Sequence, residues 1–180
     1  MNPISEEKLR LCVRSVHDLQ KHTACERAGV DTSEKDGNVI VRFPLELQSG
    51  ENAPFTMIMG EHFSQIYCEL QAKLDIQFRL PAALVGNAVN QALRFGHIAV
   101  DSRDGRVFYT LSQLAESEQT VPGTIAVAVM EMNDWFSPVL DFLTSPMERQ
   151  DLDDFMETAD RIAHLGPNTI PTDELYPEEE

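Results

Sequence analysis

The sequence predicts an α+β domain, an antiparallel sheet packed by helices, and three observations carry that prediction. Residues 38–47 alternate apolar and polar side chains with period two, as a strand with one buried face requires. Two short alternating runs, 97–101 and 106–111, flank the turn-forming pair Asp104-Gly105, the pattern of a β-hairpin. Three other segments, before, between and after these strands, carry apolar residues at helical spacing.

In chain order, residues 5–22 read as an amphipathic helix. Ser5 can cap it, Glu6 and Glu7 suit its first turn, and Leu9, Cys12, Val13, Val16 and Leu19 form its apolar stripe. Gly29 and the polar run 31–38 point to a turn or a strand edge. Pro44 lacks an N–H, so the strand over 38–47 should lie at an edge or carry a bulge. Residues 54–59 and 63–78, around a turn at Gly60-Glu61, complete an expected three-stranded meander. Pro81 suits a first helical turn, and Val85, Ala88, Val89, Ala92 and Leu93 make a stripe. Gly96 can close that helix in a left-handed cap, which gives a second helix over 82–95. After the hairpin, residues 122–143 form a third helix on Ile125, Val129, Met132, Phe136, Val139, Leu140 and Leu143, kinked or split at Pro138.

The expected order is therefore α-β-β-β-α-β-β-α over residues 1–145. An additional helix is expected at 146–166, where Ser145 and Glu148 can form a capping box ahead of Leu152, Phe155, Met156, Ala159 and Ile162. Residues 167–180, rich in proline and ending in three glutamates, are expected to form a flexible acidic tail.

Charge narrows the range of partners. Thirty acidic residues against 14 basic ones give a net charge of −16, and 146–180 hold eleven acids against Arg149 and Arg161. Such a balance opposes phosphate backbones and anionic lipid surfaces, so neither nucleic acid nor membrane is an expected partner. No apolar run is long enough to span a bilayer, and the N-terminus lacks a basic start followed by an apolar stretch. Cys12, Cys25 and Cys68 are odd in number and widely spaced, which suits a reducing, cytoplasmic setting better than a disulfide framework.

The element order, with a helix leading through a glycine into a hairpin, resembles the fold shared by class I type III secretion chaperones and the bacterial YbjN-like family. Residues 84–91, running through Gly96-His97-Ile98-Ala99-Val100-Asp101 to Asp104-Gly105-Arg106-Val107, look like the second helix and hairpin of these families. Asp134-Trp135-Phe136-Ser137-Pro138-Val139-Leu140 is similar to an aromatic-x-Pro-x-Leu pattern near the end of the last YbjN-like helix. The resemblance implies a small acidic protein that binds an extended segment of another protein along its sheet, and a possible homodimer. The helix at 146–166 and the tail lie outside it.

Signs of chemistry are sparse. His17 and His22 on one helix point about 140° apart, at 100° per residue, which is poor geometry for sharing a zinc ion with Cys12 and Cys25. His62, His97 and His164 stand beside no nucleophile, and there is no phosphate loop, G-x-S-x-G or H-E-x-x-H. Asn87 and Asn90 fall off the helical stripe and read as exposed polar positions. No catalytic residue, cofactor or metal is expected, and the chain reads as a chaperone-like or adaptor module. The alternative is an enzyme or small-ligand-binding protein with a sequence-dispersed site. For protein binding, Phe63, Tyr67, Met57 and Met59 can line a groove, since aromatic and Met side chains adapt to varied apolar partners; core packing is the competing assignment. Trp135 and Phe136 are adjacent on one helix and cannot both face the same core. Phe136 is on the apolar stripe, which leaves Trp135 as the expected interface ring.

Overall fold

Alternation in the first strand region extends through a six-stranded, wholly antiparallel sheet in the order β1-β2-β3-β4-β6-β5. The computed structural model describes residues 3–91, 93–114 and 120–144; the helix expected at 146–166 and the tail at 167–180 lie outside the described residues. The elements are α1 (Pro3–Gln20), β1 (Asp31–Lys35), β2 (Asn38–Glu46), β3 (Asn52–Met59), β4 (Phe63–Lys73), α2 (Ile76–Asn90), β5 (His97–Val100), β6 (Arg106–Leu114) and α3 (Thr120–Thr144). The α+β class holds, with one strand more than the sequence pattern suggested.

That strand, β1, is a polar ribbon exposed along its whole length. It exists because Asp36 and Gly37 both take positive φ, 52° and 78°, which turns the chain in two residues and pairs Lys35 with Asn38. Asp-Gly is as strong a hairpin signal here as at 104–105. With β1 added, β2 is an interior strand and still holds Pro44. The ladder with β1 reaches only the Asp31↔Arg42 pair, so at Pro44 that side of β2 is already free. Pro44 faces Pro54 across β2 and β3. Two prolines can face each other only in a pair that exchanges no hydrogen bonds, with both nitrogens turned outward.

Period two sorts the side chains. Val39, Val41, Phe43 and Leu45 of β2, Ala53, Phe55, Met57 and Met59 of β3, and Ile66, Cys68 and Leu70 of β4 are buried on one face, joined by Val107, Tyr109 and Leu111 of β6. Phe43 and Phe55 stack there with ring centres 5.9 Å apart. All three helices close this face: α1 over β2, α3 over β4 and β6, and α2 against β5. The opposite face carries no helix among the described residues.

Two helices depart from expectation. α2 spans Ile76–Asn90, six residues earlier than 82–95, with Pro81 inside it. Asp75, a residue of the N-cap type, precedes it, and residues 76–78 belong to this helix and not to a strand. Ala82, Val85 and Val89 form its buried line. α3 is continuous through Pro138, which removes one donor without ending the helix. Its buried arc holds Val121, Thr124, Ile125, Ala128, Glu131, Met132 and Trp135. At 100° per residue Trp135 lies within about 20° of Ala128, the centre of that arc. Polar Thr124 and Glu131 fill one side of it, so the apolar residues alone mark only its other edge.

Candidate protein-binding surfaces

The expected binding residues separate into three places. Met57 and Met59 are in the core, 0% and 3% exposed. Trp135, expected at the surface, is 5% exposed and packs into the same core, which corrects the assignment of the two adjacent rings. The side chain of Phe136 lies outside the described side chains. Phe63 and Tyr67 alone point to the open face of the sheet, Phe63 at 37% exposure and Tyr67 half-buried.

The open face is built by the residues that alternate with the core. Ile40 and Ile58 are opposite each other on β2 and β3; Thr56 and Tyr67 pair across β3 and β4; Tyr67 and Thr110, and Glu69 and Phe108, pair across β4 and β6. At its β4-β6 end is a concavity of about 380 Å³ lined by Gln65, Tyr67, Glu69, Asp101, Arg103, Arg106, Phe108 and Thr110. Tyr67 and Phe108 are diagonal neighbours on one face, close enough for aromatic side chains to meet. Gln65 Nε2 donates to Thr110 Oγ1 at 3.3 Å.

The rim of this concavity is the β5-β6 turn, and it is held firmly. Arg79 of α2 donates Nε to the Leu74 carbonyl at 3.2 Å and Nη1 to the carbonyls of Ser102 and Arg103, both at 2.8 Å. Gly105 has φ +78°, and a Cβ there would stand 2.1 Å from the Leu74 oxygen, so only glycine fits the closure of turn on strand. Arg103 forks onto Asp101, and Arg106 pairs with Asp104. Hydrogen bonds hold both carboxyls below the usual carboxylate range, the Arg103 guanidinium being the largest cause at Asp101 and the Arg106 backbone N–H the largest at Asp104.

The two sheet edges differ. At β5, Asn90 of α2 donates Nδ2 to the Ile98 carbonyl at 3.0 Å and accepts the Ile98 N–H, as a neighbouring strand would. Asn90 is thus a strand mimic rather than an exposed polar position. β1 carries no such cover among the described residues. A further exposed patch runs along α2, where Ile76, Leu80 and Leu84 are 80%, 71% and 43% exposed, four residues apart on one side, with Phe95 beyond the helix at 56%.

The buried ionisable groups are structural. Glu131 on α3 accepts the backbone N–H groups of Arg94, Phe95 and Gly96 at 2.9, 3.0 and 2.9 Å and the Tyr109 hydroxyl at 2.7 Å. Burial and this carboxylate push the Tyr109 phenol up. Gly96 is required here not as a left-handed cap but by close approach, since a Cβ would lie 2.2 Å from the Tyr109 ring. Glu131 lines neither the open-face concavity nor the smaller one beside β1. Lys8 is likewise buried and donates to the Gly60 and Glu61 carbonyls at 2.8 and 2.7 Å, tying α1 to the β3-β4 turn. All three thiols are free and buried; burial pushes Cys12 up to about 12 and raises Cys25 and Cys68 as well.

Among the described residues no three His, Cys, Asp or Glu side chains gather as a metal site, and no helix is long and apolar enough to cross a membrane. No family model matches this chain, and no curated protein matches it.

Proposed function

We propose that this chain is a cytoplasmic protein-binding module, chaperone-like or adaptor-like, whose open sheet face receives a segment of another protein. One observation carries this: three helices cover one face of a six-stranded sheet, while the other presents a concavity floored by two half-buried aromatic rings and framed by a pinned turn. A rigid, partly apolar surface with a polar rim suits peptide docking, because little ordering entropy is lost on the receiving side. The resemblance to class I secretion chaperones and YbjN-like proteins supports the same reading, as does the placement of the Glu131 and Tyr109 hydrogen-bond network on the core side of the sheet, opposite the open-face concavity.

Capture from lysate of the source cells on wild-type protein and on a Tyr67→Ala/Phe108→Ala variant tests it. One stoichiometric protein held by the wild type and lost by the folded variant is the expected result. Equal capture by both, or a small metabolite as the sole co-purifying species, would contradict the proposal.

The homodimer implied by the resemblance is reassigned from Trp135 to α2. Ile76, Leu80 and Leu84 make an apolar ridge about 12 Å long, at 1.5 Å per residue, and a ridge of equally spaced side chains can meet its own copy about a two-fold axis. Leu80→Asp is expected to move the sedimentation coefficient to that of a monomer without lowering the melting temperature. An unchanged coefficient would remove this surface from self-association.

A further inference from the structure

The charge balance of the open-face concavity selects its occupant. Arg103 is neutralised by Asp101, through Nε to Oδ1 at 3.1 Å and Nη2 to Oδ2 at 2.7 Å. Arg106 is neutralised by Asp104, Nε to Oδ2 at 2.7 Å. Glu69 remains: it is exposed, and its carboxylate has no hydrogen bond or ion pair among the described residues. In the β4-β6 register Glu69 is opposite Phe108, so their Cβ atoms are about 5 Å apart, and Tyr67 is the next residue of β4 on the same face. An uncompensated carboxylate beside two aromatic rings is the chemistry of a cation site.

We infer that this concavity takes a basic side chain, Lys or Arg, from an extended segment docked on the sheet, with the cation on Glu69 and its stem or guanidinium plane over Tyr67 and Phe108. The inference rests on the open face being the docking surface. An acidic side chain would instead meet Glu69 as a like charge, and the two guanidinium groups that line the concavity, Arg103 and Arg106, are already charge-paired with Asp101 and Asp104. The net charge of −16 acts in the same direction at longer range, drawing basic partners toward the protein and raising their association rate. Because Arg79 and Gly105 fix the rim, the charged framework does not need to reorganise when the cation arrives.

The test uses the full chain and four synthetic nine-residue peptides of alternating Thr and Val whose central residue is Lys, Arg, Leu or Glu, titrated at 150 mM salt with backbone amide shifts as the readout. Lys and Arg peptides are expected to shift β4 and β6 amides and to bind about five- to tenfold more tightly than the Leu peptide, the sum of an exposed cation–π contact and a surface ion pair. Glu69→Gln should remove the ion-pair share and reduce the preference to about two- to threefold, the part carried by the rings. A Leu peptide binding as tightly as the Lys peptide at the same amides, or a Lys preference left unchanged by Glu69→Gln, would overturn the cation assignment while leaving the open face as a docking surface. No shift on β4 or β6 with any of the four peptides would overturn both.

Discussion

Replacing Glu131 by glutamine changes one atom of a buried side chain and should destabilise the fold far more than its size suggests. The carboxylate accepts four hydrogen bonds: Oε1 takes the Arg94 and Phe95 N–H groups, and Oε2 takes the Gly96 N–H and the Tyr109 hydroxyl. An amide nitrogen can only donate. In the Oε1 position it would oppose two backbone donors, so it should occupy the Oε2 position, where the Tyr109 hydroxyl can rotate to accept but the Gly96 N–H cannot. One buried donor is then left unsatisfied, at a cost of about 1–3 kcal/mol, and the remaining bonds lose their charge assistance. The total is about 3 kcal/mol, or a fall in Tm of roughly 6–12 °C for a chain of this size. Tyr109→Phe removes one donor from a carboxylate that keeps three, and should cost only about 1 kcal/mol. Urea unfolding of both variants, with amide exchange at Phe95 and Gly96, measures this. Glu131→Gln within about 0.5 kcal/mol of wild type, with exchange at Gly96 unchanged, would show that the carboxylate does not hold the 94–96 segment.

Trp135→Ala should lower stability by about 3–5 kcal/mol, as loss of a large buried ring does, and leave sedimentation unchanged; the opposite pattern would return Trp135 to an interface. Gly105→Ala should cost at least about 2 kcal/mol from positive φ and the clash with the Leu74 carbonyl, whereas Gly123→Ala, with nothing within 4 Å in α3, should stabilise by about 0.5–1 kcal/mol. Asp101 and Asp104 have lowered folded-state pKa values, so their contribution is present above an ordinary carboxylate pKa of about 3.9 and fades as pH falls below it. Carboxyl carbon shifts for both should therefore titrate below about 3.9, and a midpoint at or above that value would deny the pairing.

The alternating strands were legible because period two depends on one covered face, and that face is covered throughout. β1 was legible only in its turn: Asp36-Gly37 is a hairpin signal, but Asp31–Lys35 has no buried side chain to create alternation. α2 was misplaced because Ile76, Leu80 and Leu84 lie on its exposed side, where apolar residues obscure the periodicity that locates a helix. In α3 the buried polar pair Thr124 and Glu131 rotated the apparent stripe away from Trp135. Glu131 could not be identified as a core residue, since its partners are backbone groups at 94–96 that only tertiary structure brings near. Of the expected binding residues, Tyr67 reached the open concavity by strand alternation. Its neighbours Phe108 and Glu69 follow from β4-β6 pairing, which skips the hairpin order because β6 and not β5 adjoins β4.

Whether the open face receives another protein is tested most directly by photocross-linking in the source cells, with a benzophenone amino acid placed at position 108 in the concavity or at position 126 on the exposed side of α3. Transfer to one protein from position 108, absent from position 126 and suppressed by Tyr67→Ala, is the predicted result. The same cross-linked species from both positions, or none from position 108 while α2 positions react, would contradict docking on the open face.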